Sequence, residues 1–397
     1  MRRTLLNSLL VVVSILVTLV VCDTALRLFS SIAPRSGQFI PEPDNYLRLT
    51  ARTATMSPGY SGVLNGRDFS DIPIHTNRMG FRDAEYDPEM LAGSGPILFL
   101  GDSYLFGWGV RREQRITELF ADELLKQTID APVINMAVAG SGTYQALDLL
   151  RALGLPLKPR LVVLGFFVGN DFLDNQAAAE ILSGPVGPAT DLSVPEMALV
   201  DASERSRALS LRELLRTSPV FNLVKYGLWE SSTFRHLFNR LEIQNDRIAL
   251  YTARDDDDEV RNRLYRPTLE ALNEITQLTR AADVPLLVLI IPDQLQVLDP
   301  QLFEEYDSRK PQHILSQHLT KLGIPFLDLL PAFTTTADPH QLFFREDKHW
   351  SRDGHALVAR ELIPPAIRLL TSGTVNAAHG RVPAVVSRSL LETDPAR

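Results

Sequence analysis

Two kinds of apolar pattern alternate along the middle of the chain. Short, mostly unbroken runs occur at Ile97-Leu98-Phe99-Leu100, Val133-Ile134-Asn135-Met136, Leu161–Phe167 and Pro285–Ile291. Such runs, bounded by Gly, Pro or polar turn residues, predict strands buried on both faces. Between them, Ile116–Gln127 and residues 143–153 and 266–282 place apolar side chains at helical spacing. A further helix opens around Ser351-Arg352-Asp353-Gly354-His355 and is predicted to end near Leu362. Strands alternating with helices predict βαβ units, hence an α/β fold with a parallel sheet and helices on both sides. No internal repeat at solenoid periods interrupts this order.

The pattern changes at both ends. Met1-Arg2-Arg3-Thr4 is followed by Leu5–Val21, and no charged side chain occurs from Thr4 to Cys22. As a helix this stretch spans roughly 28 Å, close to the hydrocarbon thickness of a bilayer. The reading taken is an uncleaved signal anchor, a single transmembrane helix over 1–22, with a cleaved signal peptide as the rival. Cleavage needs a small-x-small site just after the apolar run. Val20-Val21-Cys22 does not supply one, and Ser31-Ile32-Ala33 lies far downstream before Pro34. A lipoprotein reading fails too, because the residue before Cys22 is Val21. Arg2 and Arg3 favour a cytoplasmic N-terminus, although Arg27 and Arg35 weaken the asymmetry. The expected location is therefore the inner or plasma membrane, single-pass, with the remaining chain on the extracytoplasmic, periplasmic side.

Residues 23–95 read as a stem and an irregular lead-in, rich in scattered Pro and Gly. Residues 96–371 read as the main domain. Within it, 174–265 reads as an insertion or cap, with a helix predicted over 211–230 and a solvated acidic run at Asp255–Glu259. Residues 372–397 lack periodicity and read as a mobile tail. The chain has 397 residues, 45% of them hydrophobic, which suits a buried core rather than disorder. Its 40 basic and 48 acidic side chains give a net charge of −8, with no basic stripe to neutralise phosphates, so nucleic acid is not an expected partner. The single cysteine, Cys22, excludes an intramolecular disulfide framework and any Cys-rich zinc site. Oligomeric state is not legible.

Ligands of open parallel sheets bind outside the carboxyl ends of the strands. Gly101-Asp102-Ser103-Tyr104 follows the first strand. Asp102 or Ser103 could simply cap a helix, or Ser103 could be a nucleophile at a helix start. It is not a G-x-S-x-G elbow, because Leu105 stands where the second glycine belongs. Ala139-Gly140-Ser141-Gly142-Thr143 follows the second strand. It resembles part of a dinucleotide fingerprint, but Gln145 replaces the third glycine and no acidic residue follows at the right distance. Alternatively its glycine lets a backbone N–H face a ligand. Val168-Gly169-Asn170-Asp171 follows the third strand, where Asn170 is either a turn former or an oxyanion donor. Arg345-Glu346-Asp347-Lys348-His349-Trp350 pairs an acid with one of eight histidines. A metal cluster of Asp347, His349, Asp353 and His355 matches no standard spacing, so no metal or other cofactor is expected. A serine, a glycine amide, an asparagine amide and an acid–histidine pair are the parts of acyl transfer.

Taken together, four segments resemble the blocks of the SGNH (GDSL-type) hydrolase superfamily: Leu100-Gly101-Asp102-Ser103, Asn135–Gly140, Gly169-Asn170-Asp171 and Asp347-Lys348-His349-Trp350. The resemblance covers about residues 96–370 and implies a flavodoxin-like three-layer α/β/α sandwich. It implies Ser103 as nucleophile and His349 as base, with the Ser103 and Gly140 amides and the Asn170 side chain as oxyanion hole. The lead-in Asn77-Arg78-Met79-Gly80-Phe81-Arg82 and the N-terminal span resemble a membrane-anchored bacterial branch. The usual last block has Asp three residues before His, and Glu346 occupies that place here. Asp347, in a D-x-H-W form similar to acetylation-related members of exopolysaccharide export, is taken as the orienter, with Glu346 as alternative. The expected function is a serine esterase acting on O-acetyl or other acyl groups of an extracytoplasmic carbohydrate or lipid. The alternatives are a polysaccharide O-acyltransferase using the same triad and a catalytically inactive polysaccharide-binding assembly protein.

Overall fold

The computed structural model describes residues 46–48, 54–87, 95–183, 250–251, 262–303 and 307–372, with Ser14, Thr18 and residues 21–25. The chain divides into two compact units, one of residues 1–38 and 196–244, the other of residues 39–195 and 245–397. In the first unit the described residues are helical, and the Thr18 hydroxyl donates back to the Ser14 carbonyl at 2.9 Å. Among the described residues no helix is long and apolar enough to cross a membrane. Most of the predicted anchor over 1–22 lies outside the described residues. So do the helix expected at 211–230, the acidic run, most of the 174–265 insertion and the tail beyond 372.

The second unit opens with two antiparallel pairs. Strand β1 (Tyr46–Arg48) pairs with β2 (Ala54–Met56), and β3 (Ser61–Leu64) with β4 (Ile72–His75). Then follow β5 (Ile97–Leu100), α1 (Ser103–Phe106), α2 (Ile116–Lys126), β6 (Val133–Asn135), α3 (Thr143–Leu149), β7 (Leu161–Phe167) and α4 (Asp171–Ser183). The last elements are α5 (Arg266–Ala281), β8 (Leu286–Ile291), α6 (Gln294–Leu298), α7 (Lys310–Leu322), β9 (Phe326–Asp328), α8 (Leu330–Thr334) and α9 (Arg352–Ser372).

Five strands form one parallel sheet in the order β6-β5-β7-β8-β9. This is the order of flavodoxin-like doubly wound sheets. Every residue of β5, β7 and β8 is buried, as the unbroken apolar runs require. Registers Phe99↔Val163 and Val163↔Leu287 put alternate residues on one face. There they join Ile116, Phe120 and Leu124 of α2 and Val358, Leu362 and Ala366 of α9 in one apolar core. The opposite face is covered as well. Leu98 lies against the turn at Gly154 that follows α3, and α3, α4 and α5 pack together there. Gly165 interrupts β7 for a packing reason: a Cβ would lie 2.7 Å from Leu105 of α1, so only glycine lets α1 sit this close.

Two expectations change. The sheet has a fifth strand, β9, whose three half-buried residues end on Asp328 and make too short an apolar run to read. Helix α9 does not stop near Leu362 but runs to Ser372 through Pro364 and Pro365, because Leu362 and Ala366 on either side are held in the core. The lead-in contributes to the core. Met56, Leu64, Ile72 and Ile74 belong to the same core as the sheet. Arg82 is 2% exposed, and its guanidinium donates to the carbonyls of Pro73, Phe106, Gly107 and Val110.

Candidate active site

The loops after β5, β6 and β7 surround the point where the strand order reverses, the usual ligand crevice of such sheets. Ser103 is the first residue of α1. Asp102 caps that helix, its Oδ1 accepting the Tyr104 N–H at 2.9 Å, and Gly107 ends it in the left-handed region at φ 81°. The cap fixes the turn on which Ser103 stands. Asn135 ties the second block to the first by donating from Nδ2 to the Leu105 carbonyl at 2.7 Å. Gly140 lies at φ 78°, and nothing comes within 4 Å of where its Cβ would be. Asn170 lies between β7 and α4, and its buried Oδ1 has no hydrogen-bond partner.

The acid–histidine block arrives from the far end of the domain. The Phe343↔Trp350 bridge and the Phe344 N–H donating to the His349 carbonyl at 2.8 Å close residues 343–350 into a tight loop. Lys348 sits inside it at φ 74°, a conformation costing a non-glycine residue ~1 kcal/mol. Across that kink the side chains on either side meet. His349 Nδ1 lies 2.6 Å from Asp347 Oδ1, and His349 Nε2 lies 2.7 Å from Ser103 Oγ. A carboxylate only accepts, so Nδ1 carries the proton and donates it to Asp347. Nε2 is then the acceptor for the Ser103 hydroxyl. That is the tautomer a general base requires.

Other side chains hold this line in place. The Trp108 indole N–H donates to Asp347 Oδ2 at 3.2 Å, and its ring lies 6.0 Å from the imidazole. Tyr104 packs between rings, 4.9 Å from both His349 and Trp350, while its hydroxyl donates to the Lys348 carbonyl. Gln294 donates to the Phe344 carbonyl at 3.2 Å. Asp68 accepts the N–H groups of Glu346 and Asp347. The alternative orienter, Glu346, points elsewhere, its carboxylate 3.6 Å from Arg67.

Electrostatics follow from these contacts. Burial raises the Asp347 carboxyl, but the hydrogen bond and charge of His349, with the Trp108 N–H, outweigh it and leave Asp347 below its ordinary value. Asp102 is fully buried with one oxygen unpartnered, and burial pushes its carboxyl up to about 6. Asp171 is raised too, by burial and then by the neighbouring Asp102 and Asp174 charges. Two members of the conceivable metal cluster do not join the site's hydrogen bonds. His355 is buried edge-on to Trp350, and Asp353 is exposed on the first turn of α9. Among the described residues no group of three or more His, Cys, Asp or Glu could hold a metal ion.

Of the sequence candidates, Ser103, His349 and Asp347 thus meet directly, while Gly140 and Asn170 lie on the neighbouring loops. Trp108, Tyr104, Asp68 and Gln294 were not singled out from sequence. Trp108, between two glycines just after the serine block, carried the one visible signal.

The family model for the SGNH hydrolase-like domain of the acetyltransferase AlgX matches residues 250–379, the stretch holding Asp347 and His349. No curated protein matches the chain. Similar solved structures include TesA, with 14% identity over 69% of this chain and 99% of that one at a TM-score of 0.39. The esterase EstA from Pseudoalteromonas sp. has 13% identity over 70% and 99% at 0.38. The acetyl xylan esterase AlAXEase has 13% identity over 68% and 98% at 0.39. The family match covers the last third of the chain and includes the acid–histidine loop that the fold brings to Ser103, so this part of the chain is similar to an SGNH hydrolase-like domain.

Proposed function

We propose that the chain is a serine esterase that cleaves O-acyl esters through Ser103, His349 and Asp347. The observation that supports this most is the continuous hydrogen-bonded line from the Ser103 hydroxyl through His349 to Asp347. In the first step the Ser103 oxygen attacks the ester carbonyl carbon while its proton passes to His349 Nε2. The imidazolium that forms is stabilised by Asp347. The Ser103 and Gly140 N–H groups and the Asn170 amide are proposed to receive the oxyanion, each donor worth roughly 3 kcal/mol of barrier. His349 then returns the proton to the leaving alcohol as the carbon–oxygen bond breaks. In the second step His349 takes a proton from water, the hydroxide attacks the acyl-serine, and Ser103 regains its proton.

The substrate proposed is an O-acetylated or otherwise acylated carbohydrate or lipid outside the cytoplasm. The uncharged Leu5–Val21 segment supports that location, with the chain anchored once in the inner or plasma membrane. Protease accessibility in spheroplasts tests it: protection of the domain from added protease would sink this placement.

A second reading, acyl transfer to a sugar hydroxyl, is favoured by the acetyltransferase description of the matched family. It changes only the acceptor in the second step. The deciding experiment incubates the purified chain with an acetyl ester donor, with and without polysaccharide. Acetate release without polysaccharide supports the esterase, and acetylation only of added polysaccharide supports the transferase. Serine-directed fluorophosphonate labelling tests the shared first step. Labelling of the native chain and none of Ser103→Ala is expected. An unlabelled native chain whose biological role survives Ser103→Ala would leave the inactive binding protein as the better reading.

A further inference from the structure

Three consecutive residues at the tip of the β3–β4 hairpin touch the acid–histidine loop, each differently. Arg67 Nη1 lies 3.6 Å from the Glu346 carboxylate. Asp68 Oδ2 accepts two successive backbone N–H groups, that of Glu346 at 2.9 Å and that of Asp347 at 2.8 Å. The Phe69 ring packs on the Phe344 ring at 5.1 Å between centroids. Successive N–H groups converging on one oxygen make a small anion-binding concavity, and here a side chain from the same chain fills it.

This geometry bears on which acid serves the histidine. Glu346 and Asp347 are adjacent, and a slip of one residue in the loop would exchange their places. With both amides fixed on Asp68, the Glu346 side chain goes to Arg67 and the Asp347 side chain goes to His349. Nothing else among the described contacts holds those two N–H groups. We propose that the hairpin tip Arg67-Asp68-Phe69 sets the register of the acid loop, with Asp68 as a positioning residue for Asp347. This rests on the reading of Ser103, His349 and Asp347 as the catalytic triad. Asp68 touches no reacting atom and acts through the backbone it holds.

The test compares the full chain with Asp68→Ala, Asp68→Asn and Asp68→Glu. The rate of fluorophosphonate labelling is one readout. The downfield proton resonance of His349 Nδ1–H bonded to Asp347 is the other, and it needs no turnover. Asp68→Ala is expected to slow labelling roughly ten- to a hundredfold, the scale of a small misplacement of a catalytic group, and to shift or abolish the resonance. Asp68→Asn keeps an acceptor oxygen in place and is expected to label within about threefold of the native rate. Asp68→Glu keeps the charge on a longer arm and is expected to lose rate, so the Asn–Glu contrast stands even if the alanine variant does not fold. Native labelling and an unmoved resonance in Asp68→Ala would overturn the proposal, as would equal loss in the Asn and Glu variants. If the native chain does not label Ser103, the esterase reading has failed, while the resonance still decides the role of Asp68.

Discussion

At the scale of single residues, the choice between Asp347 and Glu346 is the sharpest point of chemistry. Asp347 is bonded to His349 and Trp108, whereas Glu346 faces Arg67, which is half-exposed. Asp347→Asn is therefore expected to lower kcat by roughly a thousand- to ten-thousandfold, because an amide does not hold the imidazole in the required tautomer or stabilise its charge. Glu346→Gln is expected to stay within about threefold of native, as a surface ion pair contributes little. Steady-state hydrolysis of p-nitrophenyl acetate measures both, and a large loss in the glutamine variant alone would reverse the assignment. Asp102 makes a second prediction. Its folded carboxyl titrates near 6 against an ordinary 3.8, so the folded chain holds that proton more tightly than the unfolded one. Its stabilising contribution is complete below the ordinary value and is lost as pH rises through about 6. Asp102→Asn should flatten the stability–pH curve between pH 4 and 6, measured by urea unfolding at stepped pH. Asp171, shifted the same way, leaves a residual slope. No change in slope would contradict the burial argument.

At the scale of elements, the loop after α1 is held from outside by the lead-in. Arg82 ties the carbonyls of residues 106, 107 and 110, which bracket Trp108. Arg115 is wholly buried behind it, paired with Glu118 and Asp83 and donating to the Arg82 carbonyl. Arg82→Met removes four donors and leaves buried acceptors unmet, so a loss of about 3 kcal/mol or more is expected in urea unfolding. A loss below about 1 kcal/mol would mean that the carbonyls find other donors. Neither this tie nor the hairpin tip was legible in the chain. β5, β7 and β8 announce themselves because burial on both faces forces unbroken apolar runs. β9 is half-buried at all three of its residues and too short for such a run. Residues 54–87 send Met56, Leu64, Ile72, Ile74 and Phe81 inward without a period long enough to read, and polar groups fix the segment as well. An isolated Asp68 or Arg82 carries no period to read. The prolines of α9 signalled a stop, and packing on either side overrode them.

At the scale of the molecule, the four blocks were legible because sheet topology requires chemistry at strand ends. Their convergence was implied by the family resemblance alone, since no local rule brings the Asp347–His349 loop back to Ser103. The hydrogen bond from Asp347 to Asp68 joins residues 279 apart in sequence. Closing such a contact requires almost the whole domain to be in place, and contacts of high sequence separation are late and slow to form. Catalytic competence should therefore be among the last properties regained on refolding. After dilution from urea, fluorophosphonate reactivity at Ser103 is expected to lag the far-UV circular dichroism of the sheet and helices. Simultaneous recovery would mean that the acid loop finds its register without the hairpin. A chain cut off between residues 329 and 347 would carry Ser103 and all five strands without the loop that reaches it, so the site is completed only by sequence that follows the sheet.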